Sequence, residues 1–232
     1  SLKARLCVTG REMLYAYCES RGVAHQRCGK LIVAQQEQVS SLDALMARGR
    51  ANGVTDLVRL DANEVRALEP EVQCAAGVMS PSTGILDVHE LMLSLLGDLE
   101  ANGGILALES SVEELRPRAD SIELLVNSGG DKSSFRARQV VNCAGLSAPA
   151  LARRVQDFPE QSIPRDYLAK GQYFSCTGRP FSRLVYPMPN DAGLGVHATL
   201  DLDGNVRFGP DVEWVDSINY DVDSKRKDQF YA

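Results

Sequence analysis

Apolar positions recur along this chain at two spacings, and the spacing assigns most of its elements. Between residues 2 and 21, Leu2, Leu6, Met13 and Tyr17 form one helical stripe with Cys7, Leu14 and Cys18 beside it, and Gly22 stands where a left-handed residue closes a helix. KLIVA (30–34) is a short apolar run that predicts a buried strand. The helical period returns over 36–51, with Val39, Leu42, Leu45 and Met46 on one face and Gly53 behind it. DLVRLD (56–61) alternates like a strand and runs into Asp61–Glu64, whose spacing is a capping-box variant for a short helix ended by Pro70. GVMSPSTGILD (77–87) is loop-like. Asp87–Glu90 then repeats the capping spacing and opens the most regular helix, 88–102, apolar at Leu91, Met92, Leu95, Leu96 and Leu99.

Beyond Gly103–Gly104 the pattern predicts strand ILALES, a hairpin through SVEEL and IELLVNS, an NSGGD turn, and FRARQVVNCAG as a closing buried strand. Residues 87–150 thus read as half of a nucleotide-binding α/β layer with a β-meander attached. From 167 the chain is strand-like: YLAKGQYFSC, RLVYPMP, GLGVHATLDLDG and NVRFGPDVEWV, divided by turns at 177–178, 189–193 and 203–204. The fold class expected is α/β (α+β mixed).

Bulk properties exclude some classes of function. A net charge of −6 over 232 residues, with no Lys/Arg stripe interleaved with aromatics, excludes nucleic acid as the expected partner. No apolar run approaches the roughly 20 residues that span a bilayer. Lys3, Arg5, Arg11, Glu12 and Glu19 argue against a signal peptide at the start. Six scattered cysteines without a CxxC pair fit reduced thiols in a cytoplasmic compartment. A helix that begins almost at residue 1, and a chain that stops at DSKRKDQFYA, suggest a piece of a longer protein.

Four stretches carry candidate chemistry. VVNCAGLS (140–147) is a strand breaking at Ala144–Gly145, a form that serves either plain packing or close approach of a phosphate, with Ser147 and the following helix start as donors. No GxGxxG or P-loop occurs in the 232 residues. KGQYF and RLVYPMP place Lys170, Tyr173, Arg183 and Tyr186 in strands, with Tyr186 and Leu184 on one face and Arg183 and Val185 on the other. A tyrosine there is either core with its hydroxyl at the rim or, with an arginine, an anchor for a carboxylate. His197 in GVHATLD is a structural strand histidine or a proton acceptor, whereas His25 and His89 are weaker candidates. Asp211, Glu213 and Asp216 lack a further ligand, so no metal is expected, and Trp214 reads as core.

These same runs resemble the FAD-dependent oxidoreductases of the D-amino-acid oxidase superfamily. VVNCAG and the capped helix GILDVHELMLSLLGDLEANGG look like parts shared across that superfamily. KGQYF, LVYPMP, GVHATLD and FGPDVEW, in that order, most resemble its L-2-hydroxyglutarate dehydrogenase/oxidase group, as does SLKARLCVTGREMLYAYCESRGVAHQRCGKLIVA. The resemblance runs over essentially the whole chain. It implies an FAD-binding Rossmann-like portion (1–22 and 87–155) and a largely antiparallel β-sheet substrate domain with helices (23–86 and 156–232). It also implies FAD as cofactor, with Val112, Ala144, Gly145, Leu146 and Ser147 lining its site, His197 and Tyr186 catalytic, and Arg183 and Lys170 binding substrate. The reaction implied is oxidation of an L-2-hydroxy acid, 2-hydroxyglutarate above all, to the 2-oxo acid by hydride transfer to flavin N5. Two alternatives stay open: a glycine- or sarcosine-type amine oxidase of the same fold, and a truncated, non-catalytic module. The glycine-rich unit and a C-terminal segment expected of the group lie outside these residues. Localisation is expected to be cytoplasmic, with peripheral membrane contact compatible with it.

Overall fold

Ser1 opens the first helix by accepting the Ala4 amide at 3.3 Å, and Gly22 closes it at φ 69°, so α1 spans Leu2–Arg21. The computed structural model describes residues 1–189 and 195–230, and the turn expected at 189–193 falls, from residue 190 on, outside them. After α1 come β1 (His25–Gln26), β2 (Lys30–Ala34), a short 3₁₀ turn and α2 (Val39–Ala51). β3 (Val58–Asp61) runs into α3 (Ala62–Leu68) through a complete capping box: Asp61 accepts the Asn63 and Glu64 amides, and Glu64 accepts the Asp61 amide at 2.8 Å. β4 (Ala76–Ser80), β5 (Ile85–Leu86) and α4 (Val88–Ala101) follow. At α4 only half of the expected box forms. Asp87 accepts the Glu90 amide at 2.9 Å, but the Glu90 carboxylate turns away to the Ala24 amide at 2.7 Å. The chain continues through β6 (Ser110–Pro117), β7 (Ile122–Ser128), β8 (Asp131–Ala137) and α5 (Ala148–Ala152). It ends with β9 (Leu168–Lys170), β10 (Phe174–Ser175), β11 (Leu184–Pro187), β12 (His197–Leu200), β13 (Val206–Gly209) and β14 (Glu213–Val215).

Packing divides the chain into two units, residues 1–97 with 169–232, and residues 98–168. The first is built on a seven-stranded mixed sheet of order β10-β13-β12-β11-β2-β4-β3. Its one parallel pair joins distant parts of the sequence, with Leu184 opposite Lys30 and Tyr186 opposite Ile32. Because side chains alternate across a strand, the pairing sorts residues onto two faces. Leu31, Val185, Ala198 and Val206 pack with Val65 of α3 and with Val72 on one face. Ala34, Ala76, Val78 and Met188 pack under Leu42 and Met46 of α2 on the other. Leu31, Leu42, Val65, Val78 and Val206 are fully buried, each contributing about 1.5–3 kcal/mol through the water it no longer orders. β1 pairs with β5, and β9 with β14, in small sheets of their own.

The second unit is an antiparallel meander, β6-β7-β8, with a bulge between Val112 and Glu114. The segment after α5 lies along β6: the Leu115 amide donates to the Arg154 carbonyl, and the Gln156 amide to the Leu115 carbonyl.

Several expectations are corrected here. The chain leaves the meander after Ala137, so VVNCAG has no strand partner among the described residues and Val141 is 81% exposed. An apolar run predicts a strand only where a neighbouring strand edge takes its hydrogen bonds. ILALES becomes regular only at Ser110. FGPDVEWV is not one strand: a cis Gly209–Pro210 bond separates β13 from β14, which lie in different sheets, and Trp214 is exposed rather than in the core. On α1 the buried side chains are Tyr15 and Cys18, while Leu2, Leu6 and Met13 of the expected stripe are exposed.

Candidate active site

The α2 side of the large sheet carries polar as well as apolar groups. Ala198 sits opposite Val185 in the α3-side core, so its neighbour His197 projects to the other face, where Tyr186 and Lys30 also lie. The His197 and Tyr186 rings stack with centroids 3.9 Å apart and planes inclined by 25°. The Lys30 ammonium stands 5.0 Å from the centroid of the Tyr186 ring. Tyr173 completes the group: its ring passes over Gly209, the register partner of His197, where an added Cβ would lie 2.8 Å from Tyr173 Cδ1. Gly209 has φ 141° and so meets both demands, positive φ and absence of a side chain.

Hydrogen bonding fixes what the histidine can do. His197 Nδ1 lies 3.0 Å from the Gly195 carbonyl. A carbonyl can only accept, so Nδ1 carries the proton of the neutral ring and Nε2 keeps its lone pair. Burial pushes the His197 pKa down; the Gly195 bond opposes this and the nearby Lys30 charge adds to it. The neutral, proton-accepting form therefore prevails at pH 7. Burial raises the Tyr186 pKa, with Tyr173 adding to the effect, so the phenol stays a donor. Burial also lowers the Lys30 pKa, and no carboxylate pairs with its ammonium among the described residues. A base, a hydroxyl donor and a cation short of an anion thus share one face. Such a set can bind an acid and remove a proton from it.

The other residues singled out in the sequence are placed as follows. Arg183 is on the opposite face, donating to the Leu68 carbonyl at 2.7 Å and lying 3.2 Å from Glu69, which is 2% exposed. Glu69 also accepts the Ser182 amide and hydroxyl at 3.0 and 2.7 Å. Lys170, on β9, reaches Asn219 at 3.5 Å. Asp211 is buried, accepting the Gln172 amide and the Arg226 guanidinium, and Arg226 also reaches Glu213. In the second unit Val112 accepts from Arg154 at 2.6 Å, and the turn Ala144–Ser147 is exposed, with Gly145 at φ 56° and open space where a Cβ would be. The structure brings His197 and Tyr186 together and adds Lys30, which the sequence reading passed over. At the head of an apolar strand it looks like a solvated terminus, and only the parallel pairing with residues 184–187 discloses its neighbours.

Comparison with known proteins gives this arrangement its context. The chain is 36% identical to a protein named L-2-hydroxyglutarate dehydrogenase, mitochondrial, of Arabidopsis thaliana, which it matches over 100% of its own length and 56% of that protein. It is 31% identical to the Homo sapiens protein of that name, over 90% of the chain and 48% of the relative. It is 29% identical to an Escherichia coli K12 L-2-hydroxyglutarate dehydrogenase, over 90% and 50%. The chain spans about half the length of the curated relatives it matches. Among solved structures, an L-proline dehydrogenase from P. horikoshii superposes with TM-score 0.79 at 16% identity, covering 98% of this chain and 60% of that one. An L-alpha-glycerophosphate oxidase from Mycoplasma pneumoniae gives 0.77 at 24%, covering 97% and 59%. At such identities these two show the fold. The model of the FAD dependent oxidoreductase family matches residues 1–232, and the chain belongs to that family.

Proposed function

We propose that the protein carrying this chain oxidises an L-2-hydroxy acid, 2-hydroxyglutarate, to the 2-oxo acid with FAD as its cofactor. The observation that carries the reading is the stacked His197–Tyr186 pair, with Nε2 unprotonated, beside an ammonium that has no carboxylate partner among the described residues. The names of the relatives supply the substrate. His197 takes the proton of the substrate hydroxyl at Nε2, and its Nδ1–H bond to Gly195 holds the ring still while the charge develops. Tyr186, kept protonated, donates a hydrogen bond to the substrate's near carboxylate. The low exposure of His197 limits water at the reacting centre. Arg183, held between Glu69 and Leu68, has no part in this assignment; Lys170 remains a candidate for guiding the anion inward.

The residues of the second unit fit a place for the cofactor. The exposed turn Ala144–Ser147, left-handed at Gly145 with nothing occupying the Cβ position, lets a ribose or phosphate edge approach the backbone. Val112, tied through Arg154 to the segment that follows this turn, offers backbone at the adenine end. Bound there, FAD supplies the two-electron acceptor that the side chains cannot.

The test is anaerobic bleaching of the flavin absorbance in the FAD-loaded protein with L-2-hydroxyglutarate, sarcosine and glycine in parallel. Bleaching by the hydroxy acid alone is expected. Bleaching by sarcosine or glycine instead would assign the amine-oxidase reaction, and a protein that binds no flavin would overturn the reading.

A further inference from the structure

Lys30 is a cation whose surroundings do not account for it. Its side chain is half-buried, and its ammonium has neither a hydrogen bond nor an ion pair among the described residues, a position that an anion would improve. The Tyr186 ring compensates only in part. The two cations that the sequence put forward do not face this spot by their contacts: Arg183 is bound to Glu69 beneath the sheet, and Lys170 reaches Asn219. Arg11, which lines the same cavity as Lys30, is engaged by Ser82 and Glu12.

The space beside Lys30 has a definite chemistry. A cavity of about 360 Å³ opens there, with Ile32, Val54 and Leu57 among its apolar walls and Ser80 and Thr83 among its hydroxyls. Lys30 lines this cavity while also lying against Tyr186, whose other neighbour is His197. A ligand with its reacting end at His197 and its aliphatic stem beside the Tyr186 ring, which neighbours both residues, would bring a second charged end to the ammonium. A monocarboxylic acid would leave Lys30 as it stands.

Resting on the reading of His197 as the proton acceptor, we propose that Lys30 binds the far carboxylate of a dicarboxylic 2-hydroxy acid. It thereby selects dicarboxylates over monocarboxylates of similar length.

Lys30→Met and Lys30→Arg in the FAD-loaded protein test this against L-2-hydroxyglutarate and L-2-hydroxybutyrate. Lys30→Met should raise KM for the dicarboxylate about 10–100-fold, the scale of a lost charge-assisted hydrogen bond. kcat/KM for the monocarboxylate should fall far less, so that the preference for the dicarboxylate drops by about the same 10–100-fold. Lys30→Arg should recover part of the loss. Calorimetric binding of glutarate and butyrate supplies a readout without turnover: glutarate should bind the parent protein and weaken in Lys30→Met, with butyrate indifferent. An equal loss for both acids, or glutarate binding unaltered by Lys30→Met, overturns the proposal. If the parent binds glutarate through Lys30 but oxidises neither hydroxy acid, the assigned reaction fails while the carboxylate site stands. Thermal melts separate misfolding from lost recognition, and Lys30→Arg carries the test if Lys30→Met does not fold.

Discussion

Replacing Glu69 with alanine should be among the most damaging single changes in the first unit, although Glu69 has no role in the proposed chemistry. Its carboxylate, 2% exposed, accepts the Ser182 amide and hydroxyl and lies 3.2 Å from the Arg183 guanidinium. It ties the end of α3 to the approach to β11, across 113 residues of sequence. Alanine leaves two donors without their acceptor, each costing about 1–3 kcal/mol. It also leaves a guanidinium that is only 19% exposed with the Leu68 carbonyl alone. Breaking a buried pair from one side costs about 3–5 kcal/mol. These contributions overlap because they share one carboxylate, so a total of about 4 kcal/mol is expected, or roughly 8–16 °C in Tm at this chain length. Glu69→Gln, which keeps an acceptor for Ser182 and loses the charge, should cost less than half as much. Urea and thermal unfolding of both variants, with Arg183→Leu and the double mutant closing a cycle, provide the measurement. The double mutant should be more stable than Glu69→Ala, because removing both charges lifts the uncompensated one. A loss below about 1 kcal/mol for Glu69→Ala, or an Arg183→Leu variant of full stability that no longer binds substrate, would refute this account and return Arg183 to the substrate.

Three other outcomes follow from the same geometry. His197→Gln should lower kcat about 10²–10⁴-fold with flavin content retained, since general base catalysis is worth that much. In the parent, kcat/KM should fall with acid through a pKa below the ordinary histidine value of about 6.5. The unfolded chain takes up this proton at higher pH than the folded one, so stability should also decline as pH drops below that value towards the folded pKa. Lys30→Met should move the kinetic inflection upward, because it removes a neighbouring positive charge. Tyr186→Phe should keep the stack on His197, hold stability within about 1 kcal/mol, and lower kcat/KM by about tenfold through loss of one hydroxyl donor. Gly209→Ala should cost about 1–3 kcal/mol or more in thermal unfolding, because φ is 141° and the new Cβ would lie 2.5 Å from the Gln172 carbonyl.

Elements governed by local rules were legible from the sequence. Asp61 and Glu64 form the capping box that their spacing announced, and Gly22 closes α1. The alternation in LVYP put Tyr186 and Val185 on opposite faces, as the sheet has them. What failed depended on a partner that the sequence does not name. VVNCAG has strand character but no strand beside it among the described residues, and Trp214 is apolar and exposed because β14 pairs away from the main sheet. The site shows the same division. His197 could be picked out as the one histidine of the β-rich half, whereas the Lys30 neighbourhood rests on a parallel pairing across about 154 residues that no local pattern encodes.

That pairing also explains why the large sheet can carry reactive groups without losing its hold. β11 contributes Val185 to the α3-side core and Tyr186 to the opposite face, and β12 does the same with Ala198 and His197. Each strand is thus anchored by one parity of its residues while the other parity is free to be polar. A buried histidine with a lysine beside it would strain a core packed on both faces. Here Leu31, Val185, Ala198 and Val206 keep the strands in place behind them. Substitutions should therefore separate by parity: changes at Val185 or Ala198 should act first on stability, and changes at Tyr186 or His197 first on turnover. The partition fails if conservative changes at the two polar positions lower Tm as much as those at the two apolar ones.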